Sequence, residues 1–508
     1  MILLKQILKI LAFELVLIEN VQAQTINQKL NLFFTQLVNN QKFSGNVLVA
    51  QQGKIVYEKS VGYANFSAKT PNTKGIYFPI ASISKTLTAT GILQLMEQGK
   101  VKITDPVGKY LPNFPYPQIT IRHLLSHSSG LPPYNAYFNP IKVKDPNKIF
   151  TNADFLPAMV AGRNPLIYQP GEKGNYDNVN YIVLALLIER LSGMSYADYI
   201  QRKILEPAGM KHTKFLLLSQ QFNTDTLPHF AYPHQYLHSY DENPTRSNTI
   251  PYVQSYWKTF ALSGFGDYIS TIYDLLQYDK ALYSNRLLKQ ETLRQAFEPV
   301  TLTTGKPHPE LFGLGWEMEK DTSLGKTIYH SGAATGLSCV MIRNITKHQT
   351  VILFDNTHFN AHATGTNVLK ILNGQRVEPP KNSIAHVYGL TLLKKGAIAA
   401  KTELNELRKD TLNYYLDEEE INQLGYDFLG TSNPYHLPES HKYVEALETL
   451  KLNTQLFPSS WNAYDSYGEA LLAAGKKEEA AVMYEKSIQL NPNNKGGMKA
   501  LEEIRKRG

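Results

Sequence analysis

Phe78-Pro79-Ile80-Ala81-Ser82-Ile83-Ser84-Lys85 is the stretch on which the reading of this chain turns. Ser82 and Lys85 stand three apart where an apolar helical pattern begins, with Leu87, Ile92, Leu95 and Met96 spaced for one face and Gly99 as a stop. The spacing predicts a helix from Ser82 to Gln98 with both polar side chains on the same face. A serine hydroxyl is a weak nucleophile and needs a base beside it. A lysine serves as that base only where burial or neighbouring cations suppress its charge. A helix N-terminus adds positive potential, which favours developing negative charge. Ser-x-x-Lys also arises by chance, with Ser82 as an ordinary N-cap, so its meaning depends on what else the chain carries.

Two further segments carry chemistry. Tyr176-Asp177-Asn178 follows Pro170-Gly171 and precedes an apolar helical run from Asn180 to Ser192. A phenol shuttles a proton where cations lower its pKa. An asparagine amide donates and accepts at once, which suits a substrate carbonyl. The alternative is a surface turn, since Asp and Asn favour turns. His330-Ser331-Gly332 follows a predicted strand ending in Tyr329. Gly332 lets the chain pass close to a ligand, the next amide, at Ala333, is placed to point at an oxyanion, and His330 supplies a polar group beside it. The alternative there is a merely hydrogen-bonded histidine at a strand end.

In this order and at this wide spacing, Ser-x-x-Lys, Tyr-x-Asn and His-x-Gly resemble the serine β-lactamase-related family, on its class C and penicillin-binding side. Three auxiliary segments add to the likeness: Thr120-Ile121-Arg122-His123-Leu124-Leu125-Ser126-His127-Ser128-Ser129-Gly130-Leu131, Gly313-Leu314-Gly315-Trp316, and Ser270-Thr271 with Asp274-Leu275. The resemblance spans roughly Ile26 to Asn373. It implies that Ser82 attacks a carbonyl and forms an acyl-enzyme, that Lys85 and Tyr176 share the proton work, and that Asn178 positions substrate. It also implies that the backbone amides of Ser82 and Ala333 form an oxyanion hole flanked by His330, with Gly332 beside it. No metal and no organic cofactor is implied.

His330 departs from the family's usual lysine at that place, which pairs with a substrate carboxylate. Histidine is shorter and neutral over much of the physiological range. The family members with histidine there include esterases and D-amino-acid amidases or peptidases. The expected function is therefore hydrolysis of an ester or amide, with β-lactam hydrolysis at most a weak activity. The alternative is a non-catalytic sensor or scaffold of the penicillin-binding type that holds a protein partner. The chain has no Gly-x-Ser-x-Gly elbow, no P-loop and no His-Glu-x-x-His helix. His127, Arg122 and His123 read as structural, Asp105-Pro106 as a turn, and Trp316 as a core or pocket wall.

Ile26 to Asn40 has helical spacing through Leu30, Phe33, Phe34 and Leu37. Val47-Leu48-Val49 and Ile55-Val56-Tyr57 flank the turn Gln51-Gln52-Gly53-Lys54 and predict a hairpin. Late strands are expected at Thr327–Tyr329, Leu337–Ile342 and Gln349–Phe354, then a helix over Thr366–Leu372. Strands at both ends and helices between predict an α+β fold, with an antiparallel sheet built from the two chain ends, flanking helices and a helical subdomain. This is the β-lactamase/transpeptidase-like arrangement that the resemblance implies. Beyond Pro379-Pro380 the pattern turns helical. Ala446 and Ala480 are 34 residues apart, as are Pro458 and Pro492, the period of tetratricopeptide (TPR) repeats. The expected domains are a signal peptide over 1–23, a hydrolase domain over 24–375, a linker over 376–416 and an all-α TPR-like domain over 417–508. Lys495 to Arg507 is expected to cap the array or the array to pack on the hydrolase domain, and the array offers a surface for a protein partner.

Of the 508 residues 43% are hydrophobic and 19% charged, so the chain can bury a large core and is no disordered polymer. The net charge of +8 has no dense basic run interleaved with aromatics, which argues against nucleic acid. The one cysteine, Cys339, forbids an intrachain disulfide and reads as a small buried residue. Lys5 and Lys9, the apolar run Ile10–Ile18 and Val21-Gln22-Ala23 read as a secretory signal, so the chain is expected to be exported, to the periplasm or medium, with no further membrane segment. The Tyr- and Pro-rich stretches Asn135–Asp154 and Leu218–Trp257 read equally as a substrate pocket lining or as packed loop cores.

Overall fold

A computed structural model describes residues 25–222, 227–378, 380–431 and 441–507, so the expected signal peptide over 1–23 lies outside the described residues. The chain divides into two compact units. The first runs through Gln235 and takes in Arg246–Thr249 and the chain from Val253 to the 379/380 boundary. The second takes Tyr236–Thr245, Ile250–Tyr252 and residues from 380 on.

The first unit is α+β, built on a six-stranded antiparallel sheet. Its strands are β1 (Gly45–Gln51), β2 (Lys54–Val61), β3 (Glu317–Met318), β4 (Thr327–Ala334), β5 (Leu337–Asn344) and β6 (Gln349–Asp355), in the spatial order β3-β4-β5-β6-β1-β2. Pairing of β1 with β6, Gly45 opposite Asp355 through Gln51 opposite Gln349, joins the two ends of the unit. The β1–β2 hairpin turns at Gln52 and Gly53, whose φ values of 49° and 72° match a two-residue turn with both central residues left-handed. Helices over 25–39 and Ala361–Leu372 cover one sheet face. Leu30, Phe33, Phe34 and Leu37 from the first, and Val368 and Leu369 from the second, bury against Val47, Val49, Val340, Val351 and Leu353.

The middle of the chain supplies the helical subdomain, centred on helices Ser84–Glu97 and Val179–Ser192. The first is not the one-faced helix its spacing predicts. Every residue from Ser84 to Leu93 is buried, because a second helix packs on its far side, and a Cβ at Gly91 would meet Ile188 Cδ1 at 3.0 Å. Its start also differs. Ala81–Ile83 is a 3₁₀ turn and the α-helix begins at Ser84, so Ser82 caps nothing.

β4 extends beyond the predicted strand, through His330, Ser331 and Gly332 to Ala334, because β5 continues as its partner through Leu337 opposite Ala334. The aromatic stretch over 135–154 is not a loop but lies mostly on two helices, Tyr134–Lys144 and Asn152–Gly162, with its rings packed inward. Tyr137, Phe138, Phe150 and Phe155 are buried, and the Phe138 and Phe150 rings stack at 4.3 Å.

The second unit is helical. The expected linker over 376–416 is instead two helices, Ile384–Lys395 and Ala397–Leu407. Their Tyr388, Leu392, Ala400 and Leu404 pack with Leu424, Phe428 and Leu450, and this apolar spacing is what makes the segment part of a core. Tyr236–Thr245 is held in the same unit. The Ser239 amide donates to the Asp427 carboxylate at 2.6 Å, and the Tyr240 ring stacks on Phe428 at 4.7 Å. Helix Tyr443–Leu456 is followed by Lys477–Leu490 and helix Trp461–Ala473 by Lys495–Arg507, each 34 positions later (443 to 477, 461 to 495). Ala446 and Ala480 are fully buried, and a Cβ at Gly468 would lie 3.2 Å from the Tyr484 ring, so small residues sit where helices approach closely.

Candidate active site

Ser82 is presented by the 3₁₀ turn ahead of a buried helix. The residue before it, Ala81, has φ +40°, a conformation costly for any residue with a Cβ. Three residues on, one helical step brings Lys85 alongside, and Lys85 Nζ lies 2.9 Å from Ser82 Oγ and 3.1 Å from the Phe265 carbonyl oxygen. The lysine is fully buried. It is surrounded by rings, with Nζ 4.8 Å from the centroid of Tyr176, 5.4 Å from Phe265 and 5.7 Å from Tyr181. Burial disfavours its charge and takes its pKa down to about 7. The carboxylates of Asp267, Asp177 and Glu317 work against that and keep it from falling further. Near neutrality the amine therefore has a lone pair free to take the serine proton.

Burial pushes the pKa of Tyr176 up, an effect partly offset by Ser82, beside which its phenol lies. Its ring is fixed by stacking on His127 at 4.2 Å. His127 reads from the sequence as a holder of loop backbone. Its Nδ1 accepts from the Asp177 amide at 3.2 Å and lies 3.3 Å from Asn180 Nδ2. It is fully buried, with a pKa driven well down by burial and by Lys85, so it orients the Tyr-x-Asn segment as a neutral ring. Asn178 begins the Val179–Ser192 helix without capping it, and its Oδ1 is buried with no hydrogen-bond partner among the described residues.

The third motif lies on β4. β3 pairs with β4 only at Ile328 and Tyr329, so from His330 onward that side of β4 has no strand against it among the described residues. Gly332 passes the serine so closely that a Cβ there would stand 2.6 Å from the Ile80 carbonyl, 2.7 Å from Cys339 Sγ and 3.0 Å from the Ser82 amide nitrogen. Ala333 follows it, exposed. Cys339 is buried beneath, as read from the sequence, with Sγ donating to the Ile80 carbonyl at 3.3 Å and a thiol pKa raised by burial. The His330 ring is 6.4 Å from that of Tyr176. His330 Nδ1 sits 2.7 Å from the Ser331 carbonyl, which only accepts, so Nδ1 carries the proton. Burial, and Lys85 beside it, take His330 down to about 3, so it is neutral and offers no fixed cation.

The structure thus brings Lys85, Tyr176 and Gly332 to Ser82 and His330 to the Tyr176 ring, while Asn178 and Ala333 directly follow the Tyr176 segment and Gly332 along the chain. The sequence reading overlooked two buried carboxylates near the lysine. Burial lifts Asp267 to about 6 and Glu317 to about 7. The only sequence signal was their company, since Asp267 closes Gly264-Phe265-Gly266 just ahead of Ser270-Thr271, and Glu317 follows Gly313-Leu314-Gly315-Trp316. Trp316 itself is a buried wall. Among the described residues no group of three His, Cys, Asp or Glu side chains is placed to hold a metal ion, and no helix is long and apolar enough to cross a membrane.

This sheet, with its helical subdomain and a Ser-x-x-Lys turn against its edge, is the serine β-lactamase/transpeptidase fold. The chain belongs to the beta-lactamase family, which it matches over residues 30–373. It is 35% identical over 338 residues to penicillin-binding protein 4* of Bacillus subtilis (strain 168), an alignment covering 66% of this chain and 72% of that one. Among solved structures it is similar to a penicillin binding protein from Bacillus halodurans, with a TM-score of 0.54 and 23% identity over 67% of this chain and 99% of that one. It is also similar to the D-amino acid amidase from Ochrobactrum anthropi SV3, with a TM-score of 0.53 and 22% identity over 70% and 98%. At these identities the two structures speak to the fold.

Proposed function

We propose that the protein is a serine hydrolase that cleaves an ester or amide through an acyl-enzyme on Ser82, in the manner of esterases and D-amino-acid amidases or peptidases of its class C-like branch. The observation that carries this reading is the 2.9 Å approach of Ser82 Oγ to a fully buried lysine amine whose pKa lies near 7. The serine proton passes to Lys85, assisted by Tyr176, as Oγ bonds to the substrate carbonyl carbon. The amides of Ser82 and Ala333 receive the oxyanion, and Asn178 Oδ1 orients a donor group on the substrate. The leaving alcohol or amine takes the proton, and water then hydrolyses the acyl-enzyme. A neutral His330 supports an uncharged group beside the scissile bond over a carboxylate, and so an ester or amide over a β-lactam. The apolar leader over residues 1–23 supports export to the periplasm or medium. The test is labelling of the purified protein by a fluorophosphonate, with p-nitrophenyl esters, nitrocefin and D-alanyl peptides compared as substrates. Labelling that persists in Ser82→Ala refutes the reading.

A second reading, compatible with the first, is that the helical array acts as a TPR-like docking surface for a protein partner. The 34-residue recurrence of its helices supports it. Partner capture that survives removal of residues 417–508 refutes it.

A further inference from the structure

We propose that Asp267 is a positioning residue for the Ser82–Lys85 pair, its buried carboxylate clamping the Gly264–Gly266 turn so that the Phe265 carbonyl holds the lysine amine against the serine. The proposal rests on the reading of Ser82 as nucleophile. Asp267 is fully buried, and its Oδ1 accepts from the Gly264 amide at 2.9 Å and the Gly266 amide at 3.0 Å, the two residues flanking Phe265. The Phe265 carbonyl oxygen is 3.1 Å from Lys85 Nζ. A second tie fixes the same turn from the helix that carries Lys85, since Thr88 Oγ1 donates to the Gly264 carbonyl at 2.7 Å. Gly264 itself has φ +108°, and a Cβ there would lie 2.3 Å from the Tyr181 carbonyl, so the turn is pressed against the helix that follows Tyr176. The amine is thus held from two sides, by Ser82 Oγ and by a carbonyl whose place Asp267 sets.

The charge has a role apart from the geometry. Asp267 Oδ2 is buried with no hydrogen-bond partner among the described residues, so the carboxylate carries a desolvation cost that the two hydrogen bonds to the turn do not by themselves require. Asp267, Asp177 and Glu317 are the carboxylates that face Lys85 and favour its ammonium form, His127 and His330 are the neutral rings beside it, and the phenols of Tyr196 and Tyr268 face Asp267. Asp267 is the first of the three carboxylates in its effect on the lysine.

The test is the second-order rate of fluorophosphonate labelling of the full-length protein between pH 5 and pH 9. In Asp267→Asn the side-chain oxygen still accepts from the two amides while the charge is gone. The plateau rate stays within about threefold of wild type, and the acid limb moves down by about one pH unit, because loss of a neighbouring anion makes the ammonium easier to deprotonate. Asp267→Ser, also neutral and able to accept, shifts the limb the same way. In Asp267→Ala the clamp is lost and the plateau falls by at least about 30-fold, the scale expected when a reacting group is displaced. A limb that stays at the wild-type pH in the neutral variants overturns the proposal, and so does failure of both to fold, which would make Asp267 a structural residue. Absence of Ser82 labelling in the wild-type protein overturns the underlying reading of the site instead.

Discussion

Lys85 Nζ stands 2.9 Å from Ser82 Oγ with no part of the lysine reaching solvent. That pairing joins a proton acceptor to an alcohol and also carries a cost in stability. Unfolded, the lysine keeps its ordinary pKa of 10.5; folded, it titrates near 7. Between those values the unfolded chain binds more protons, so this site's contribution to stability rises with pH from 7 to 10.5 and is flat below 7. Lys85→Met is expected to abolish labelling of Ser82 and to raise unfolding free energy at pH 7 by about 2 kcal/mol. The excess of the variant over wild type should shrink as pH rises, which denaturant melts at pH 7 and pH 9 will check.

The same titration governs turnover. Acylation needs the neutral amine, so kcat/KM should rise with pH through about 7 and fall tenfold per pH unit below it. A profile flat from pH 5 to pH 8 would remove Lys85 from the role of base.

Tyr176→Phe keeps the ring that stacks on His127 at 4.2 Å and deletes only the phenol oxygen. It should lower kcat by about 10²- to 10³-fold, leaving the thermal midpoint unchanged. Steady-state kinetics alongside calorimetry separate the two effects.

Gly332→Ala should do the reverse of a conservative change. Its methyl would stand 2.6 Å from the Ile80 carbonyl and 3.0 Å from the Ser82 amide. Pushing β4 away should cost about 1–3 kcal/mol of stability and slow labelling by about 100-fold, measured on the same preparation.

Because His330 titrates only near 3, an ester or amide bearing a carboxylate next to the scissile bond should bind no better at pH 8 than its methyl ester. Competition of the pair against a chromogenic ester reads this directly, and a preference of more than fivefold for the acid would place an unrecognised cation in the site.

Much of this was legible in the sequence, because short-range rules act on short segments. The Gln51–Lys54 turn, the helix through Leu30 to Leu37 and the late strands follow from local pattern, and the three motifs stand on the elements that bring them together. What was not legible depends on burial, which no window of sequence reports. Asp267 and Glu317 are ordinary acids until the fold encloses them. Ser82 looks like a helix cap, and only the fold shows that a 3₁₀ turn, entered through the positive φ of Ala81, presents it ahead of the helix. The stretch over 376–416 was overlooked because Pro379-Pro380 reads as a break, whereas Tyr388, Leu392, Ala400 and Leu404 build the core of the next unit.

The pairing of β1 with β6 ties the earliest strand of the first unit to its last. Contacts that distant close slowly, since the intervening loop must be ordered before the ladder rewards it. A chain still emerging from the ribosome, or one truncated ahead of Gly332, therefore carries Ser82 without the strand that runs beside it. Such copies lack the β4 segment that passes Ser82, so the arrangement around that serine is assembled only when synthesis of the first unit is complete.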